Sequence, residues 1–552
     1  MNKIKINKYF AVITIVLITV AFGFTVADSD YFFKLNKSID IFGRVFKEVS
    51  LNYVDEIDPE VFVNSGVEGM LKTLDPYTNF IPSTEASDVE LITTGKYGGI
   101  GISISMRDGS IIITSLMEGY TAQRQGLRIG DQIIDVDGKS MVGIKPENVR
   151  HLTRGEPGTE VKLKVTREGE AKALEFVLIR EEIRLKNISY SGFVKDSIAI
   201  ICLDRFTRTA GDELRLAIKE LKLKGELKGL IIDLRDNPGG LLEAAVEIVS
   251  KFIPKNSLVV ITKGRRAESE VKFYSTEEPM LPDVPLVVLV NNNSASASEI
   301  VAGALQDLDR AVIIGTTTFG KGLVQNIFPL PYNTQLKMTT AKYYTPSGRC
   351  IQERDYIHKS KEGLFTVTPD SLRKNFFTKN RRNVQDLGGV HPDTTVLDSQ
   401  PSGIYNELMR KAMFFKFATH YVSTHKEPPT NFSVNGELCR EFIKYLEENK
   451  FVFEDEAETK IEDLKKYAEK NKYSEELIKE ITALKTKFTL LKSNSVEANR
   501  NEIVKALRIE IMSRYKGEQG KFEASFVDDN QILVAIETLK NMKLYKKILN
   551  IE

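Results

Sequence analysis

The chain has little sulfur, little histidine and almost no net charge. Three cysteines in 552 residues, Cys202, Cys350 and Cys439, stand far apart and odd in number. They exclude a disulfide framework and show no metal-ligand spacing. Lys and Arg number 77 against 76 Asp and Glu, and both signs are spread along the chain. That balance gives no support to a nucleic-acid surface. With 42% hydrophobic residues it gives none to disorder. No repeat of fixed period and no low-complexity tract occurs. Five histidines, His151, His358, His391, His420 and His425, leave residues 152–357 without one, so a nucleophile there would need a distant histidine or a different base.

What is present begins at the N-terminus. Lys3, Lys5 and Lys8 precede the uncharged run Phe10–Ala27. A basic start followed by such a run implies export, as a cleaved signal peptide or as a membrane anchor. Thr25 is a poor residue at the position two before Ala27, which favours the anchor. The lysines would remain cytoplasmic, with everything after residue 28 in the periplasm.

The length suggests roughly three or four domains. Residues 29–88 read as short helices broken by TLDPYTNFIPS. From Tyr97, the segments GGIGISI, SIIITSL, DQIIDVDGK, EVKLKVTRE and ALEFVLIRE read as strands of a small β-rich module over residues 89–182. Residues 183–400 alternate helical patterns with the apolar strands SIAIICLDRF, LKGLIIDLR, PLVVLV and RAVIIG, an α/β pattern. Cys202 lies in the first of these and reads as a buried, inert thiol. Residues 401–552 are helical, and Leu477, Ile481, Leu484, Phe488 and Leu491 fall at helical spacing as one buried stripe.

Three stretches follow apolar strands and could meet. NNNSASASEIVAGALQD carries Ser294, Ser296 and Ser298 into a helix; RDNPGGLLEAAVEI carries Gly239 and Gly240; TTTFGKGLVQ carries Lys321 between two glycines. A serine hydroxyl needs an adjacent base to act as nucleophile. A lysine serves when an apolar site lowers its pKa. Backbone N–H groups at the helix start or the glycine loop could hold an oxyanion. Taken singly, these stretches read as a capped helix start, a β-turn and a loop. Together, each at a strand end, they suggest a site without naming its chemistry.

SASASEIVAGALQDLDRAVIIGTTTFGKGLVQ strongly resembles the carboxyl-terminal processing peptidases, the tail-specific serine proteases. LRDNPGGLL, YYTPSGRCIQ, GGVHPDTTV and LDPYTNFI match further segments in order, so the resemblance covers residues of about 35–400. Tyr77 stands where that family often has histidine, and Cys350 where serine is common. The resemblance implies a multidomain α/β architecture whose protease core is a crotonase/Clp-like spiral, with helical N- and C-terminal regions. It implies a Ser-Lys dyad of Ser296 and Lys321, with Gln325 beside the lysine and oxyanion donors at Ala297 and Gly239, Gly240 close behind. No cofactor or metal is implied.

KYGGIGISI and AQRQGLRIGDQIIDVDGKSMVG resemble the carboxylate loop and core of a PDZ domain. Amides at Gly99, Ile100 and Gly101 would take a terminal carboxylate, and the strand from Ile102 would pair with the peptide. The expected substrates are exported proteins or peptides with apolar C-terminal tails, cut near that end. Two rival classes are a tail-binding scaffold with a resting core and an enoyl-hydratase-like enzyme. Intact dyad residues speak against the first, and the export segment and PDZ-like module against the second. The helical C-terminal region is open between a dimerisation arm, a substrate platform and a docking surface for an adaptor.

Overall fold

The computed structural model describes residues 8–83, 91, 93–359, 365–367, 369–397, 400–429, 432, 436–453, 456–493 and 495–551, with the side chains of residues 8–29 outside the description. The export run Phe10–Ala27 therefore lies outside the described side chains. Among the described residues, no helix is long and apolar enough to cross a membrane. Two units are distinguished, residues 1–83 with 326–339, and residues 84–325 with 340–552.

In the first unit the expectation of short helices is corrected: Lys8–Asn52 is one helix of 45 residues. Its stretch past residue 29 has no proline to stop it, and i,i+4 pairs such as Lys34–Asp30, at 2.7 Å, line its surface. A second helix, Pro59–Leu71, is capped by Asp58, whose side chain accepts from the amides of Glu60 and Val61. Phe46 stacks on Phe62 across the two helices, with centroids 5.7 Å apart.

In the second unit the β-rich module forms a sheet of Ile102–Arg107, Ser110–Leu116, Gln132–Val136, Glu160–Thr166 and Leu174–Ile179, in that order. Alternation sets its inner face: Ile111, Ile113, Val161, Leu163 and Val165 are buried while their neighbours face out. Asp137 and Gly138, both at positive φ, close the turn after Val136, the geometry for which Asp-Gly is suited. The strand Ile102–Arg107 is one edge of the sheet. The module is anchored where Lys96–Gly99 pairs antiparallel with Glu181–Arg184.

The core sheet runs Ile188–Lys195, Ile198–Leu203, Gly229–Asp233, Leu286–Val290, Val312–Gly315 and Thr394–Thr395, parallel except for its first strand. Its central strands are buried on both faces, hence their unbroken apolar runs. The helices Ala210–Lys224, Leu242–Ser250 and Ala297–Asp307 cover one face. Ile532, Ala535, Ile536, Leu539 and Tyr545, from the helices Asn530–Lys540 and Met542–Ile548, cover the other. The end of the helical C-terminal region is thus a layer of the core.

Other helices of that region pack around Phe414, Phe417 and Phe442 and dock on the β-rich module. Arg107 of the module lies over the Phe415 ring, 3.9 Å from its centroid, and Arg514 approaches the same ring at 4.5 Å. His420 meets Glu168 at 2.8 Å, and Lys416 meets Asp108 at 2.6 Å. The expected stripe on Glu475–Ser493 is corrected. Ile481 is buried and Phe488 half-buried, but Leu477 and Leu484 are exposed, and the Leu491 side chain lies outside the description. This helix packs chiefly on Glu456–Lys470, and the seam through Ile461, Ala468 and Ile481 is too narrow for a wider stripe.

Candidate active site

Three strand ends of the core sheet contribute one loop each. After Val290 the chain turns through Asn291–Ala295 into the helix Ala297–Asp307. The three serines separate here. Ser294 is fully buried; its Oγ donates to the Leu234 carbonyl at 2.7 Å and accepts the Asn291 amide at 3.0 Å. Ser298 is fully buried and donates to the Asn237 carbonyl at 2.9 Å. Ser296 alone of the three is partly exposed. It sits at φ 55° and ψ −114°, a conformation that costs a non-glycine residue about 1–3 kcal/mol and marks functional sites. Ala297 opens the helix, so its N–H belongs to a turn whose donors lack intrahelical acceptors.

The second loop follows Asp233. Asn291 and Asn293 both donate side-chain N–H groups to Asp236, at 2.9 and 2.8 Å, binding it to the serine loop. Gly239, at φ +99°, lies against the serine: a Cβ there would stand 2.9 Å from the Ser296 Cβ and 2.8 Å from the Ala297 nitrogen. Its N–H donates to Asn237 Oδ1 at 2.9 Å, so this expected oxyanion donor is engaged in the structure. Gly240 faces the other way; a Cβ on it would meet the Phe206 carbonyl oxygen at 2.4 Å.

The third loop, after Gly315, carries half-buried Lys321. Gly320 and Gly322 admit the segment 352–353 against their backbones, where Cβ atoms would meet Glu353 Cβ at 2.5 Å and the Gln352 nitrogen at 2.8 Å. The Phe319 amide donates to the Ser294 carbonyl at 3.0 Å, so the lysine and serine loops are laced together. Gln325 is half-buried on the strand Leu323–Pro329, which leaves the lysine loop.

Two residues absent from the sequence-based site sit between serine and lysine. Glu299 is fully buried. Its Oε2 accepts the backbone N–H of Ser296 at 2.8 Å and of Lys321 at 2.9 Å. Its Oε1 accepts the Thr318 hydroxyl at 2.6 Å and the Gly320 amide at 2.7 Å. Burial pushes its pKa up to about 7, against the pull of those four bonds. The Tyr343 hydroxyl lies 3.0 Å from the Ser296 carbonyl oxygen and also reaches that of Lys321. Glu299 was signalled by its place three residues after Ser296, the spacing of a capping box. Tyr343 opens the segment YYTPSGRCIQ, but nothing local signalled the part its hydroxyl plays.

Farther out, Arg235 pairs with Asp233 at 2.6 Å and with Asp529 at 2.8 Å, tying the glycine loop's strand to the start of the helix Asn530–Lys540. These carboxylates hold the guanidinium pKa above its ordinary value despite burial. Burial pushes the Cys202 thiol well up, in keeping with an inert core cysteine.

In the β-rich module, Gly99, Ile100, Gly101 and Ile102 line a cavity of about 230 Å³ beside the edge strand, with Arg150 and Arg154 from the helix Pro146–Thr153 and the residue after it. Gly101 is at φ +80°, and a Cβ there would stand 2.7 Å from the Tyr120 Cβ. The sequence-predicted site residues therefore fall into two places, one at the core's strand ends and one in this groove.

Three family models match: peptidase family S41 over residues 197–370, PDZ domain over 88–166, and probable PDZ-protease, C-terminal helical domain, over 404–539. A carboxy-terminal-processing protease of Bartonella bacilliformis is 39% identical over 319 residues, 57% of this chain and 73% of that protein. Carboxy-terminal processing protease CtpB of Bacillus subtilis is 33% identical over 385 residues, 68% of this chain and 80% of that protein. Among solved structures, a photosystem II D1 C-terminal processing protease aligns at 25% identity and TM-score 0.35, over 64% of this chain and 85% of that one.

Proposed function

The chain belongs to peptidase family S41 and is a serine-type peptidase with a PDZ domain, and from that premise we propose a Ser-Lys dyad acting on the C-terminal regions of exported proteins. Ser296 Oγ attacks the peptide carbonyl carbon while neutral Lys321 takes its proton. The oxyanion is received by the Ala297 N–H and by the glycine loop, where Gly239 exchanges its bond to Asn237 for one to the oxyanion, with Gly240 behind it. As the tetrahedral centre collapses, Lys321 returns the proton to the departing amine. Water, deprotonated by the same lysine, then releases the acyl group. Gln325 orients Lys321.

The observation that carries this reading is the sorting of the three serines. Two are spent on buried structural bonds, and the third is partly exposed, strained and packed against Gly239 at a helix start. Tail recognition is supported by the edge strand Ile102–Arg107 beside the groove at Gly99–Gly101: a peptide adding to that edge would bring its carboxylate to these amides. Apolar tails fit the isoleucines of the groove. The basic N-terminal start and the run Phe10–Ala27 favour export and an inner-membrane anchor.

The test uses the full-length chain in detergent beside Ser296→Ala and Lys321→Ala, each mixed with an unfolded protein bearing an apolar C-terminal tail. Products are read by mass spectrometry. The parent cleaves near the tail, and each variant loses activity by about 1,000-fold or more. Equal cleavage by parent and Ser296→Ala would refute the nucleophile. Tail binding with no cleavage by any of them would favour the scaffold reading.

A further inference from the structure

Ser296 occupies backbone angles that its own side chain disfavours, so something outside the residue must hold it there. The helix that it begins supplies part of the restraint, since its carbonyl accepts the amides of Glu299 and Ile300 at 2.9 and 3.0 Å. Its N–H precedes the helix and needs another partner. Glu299 supplies one by folding back, and the same carboxylate oxygen accepts the N–H of Lys321 from a different loop. On the carbonyl side, the Tyr343 hydroxyl meets both Ser296 and Lys321.

We infer that Glu299 and Tyr343 are positioning residues for the dyad, together holding the main chains of Ser296 and Lys321 by N–H on one side and C=O on the other. Although this rests on the dyad reading above, the arrangement itself is a matter of geometry. A carboxylate has about four lone-pair sites. Here four donors use them, two from the dyad main chains and two from the approach to Lys321, Thr318 and Gly320. An amide in its place could accept on one side only, and its NH2 would face donors on the other. Tyr343 is 1% exposed, and its ring packs in the core of the sheet, so its hydroxyl is carried to the two carbonyls by a rigid element. Two loops that end different strands are thereby held in one register.

The test compares full-length parent, Glu299→Gln and Tyr343→Phe, with Ser296→Ala as the blank, for kcat and KM on an apolar-tailed peptide and for thermal melting. Each variant should fold and bind with KM within about threefold of the parent, while kcat falls about 100-fold, as a misplacement of about 1 Å allows. The double variant should lose less than the product of the two single losses, since both act on one geometry. A kcat within threefold of the parent in both single variants overturns the inference. A crystal structure of Glu299→Gln decides it independently of activity. The Ser296 φ should leave its value of 55°, and the Lys321 amide should separate from residue 299. Unchanged positions would overturn the inference, even if Ser296→Ala still cleaved and the dyad reading had failed.

Discussion

Glu299 holds a carboxyl group where water does not reach, and its chemistry sets a cost on the site. Its folded pKa stands near 7 against an ordinary 4.5, so folding takes up a proton in the interval between. The sign follows: the group's contribution favours the fold below about pH 4.5 and is lost as pH rises through 7. The whole excursion amounts to about 3 kcal/mol. Glu299→Gln removes the titration, so its melting temperature should gain on that of the parent as pH goes from 5.5 to 8.5. Parallel melting curves across that range would show that the carboxyl does not titrate there. At this scale the sequence disclosed those residues whose neighbours form long motifs, Ser296, Lys321 and the glycine loop. Glu299 stood inside one of the motifs and could be taken for a cap. Tyr343 opened another motif, YYTPSGRCIQ, but its part was not legible, because it depends on a strand that arrives from forty-odd residues away.

Among the elements, the helix Asn530–Lys540 shows what a cap can carry. Asp529 accepts the amides of Gln531 and Ile532 at 3.0 Å and also pairs with Arg235. Asp529→Ala removes an N-cap and one partner of a largely buried guanidinium that keeps Asp233, a loss of about 2–3 kcal/mol. Asp196→Asn, which breaks an exposed pair with Lys540, should leave the melting temperature almost unchanged. Thermal melting of the two variants should therefore separate clearly, and equal effects would deny Asp529 its place in the core. The central strands were readable because burial on both faces writes them as unbroken apolar runs. Strands such as Gln335–Tyr344, half-buried and polar along much of their length, offered no such signal. The length of the first helix was not legible, because its described side chains are mostly exposed and leave no buried stripe to read.

Across the whole molecule, the second unit joins its modules through a few side chains. Phe415, between Arg107 and Arg514, is 7% exposed and lies where the PDZ domain meets the C-terminal helices. Phe415→Ala forfeits both cation–π contacts and the ring's packing, and should raise hydrogen exchange in residues 102–131 and 413–424 while leaving the core strands protected. Unaltered exchange in both segments would mean that the docking rests on the surrounding ion pairs. Periodicity announced helices after residue 400 but could not say that they serve two different neighbours, since a buried stripe does not name what buries it.

The helices that close the second face of the core sheet come far along the chain from most of its strands. Without residues 530–549, Ile200, Ile231, Val287, Leu289 and Ile314 lose much of the layer that covers them. A nascent chain that already contains Ser296 and Lys321 still lacks a finished sheet to aim them. Sheet and site are thus completed by residues that lie far along the chain from both Ser296 and Lys321.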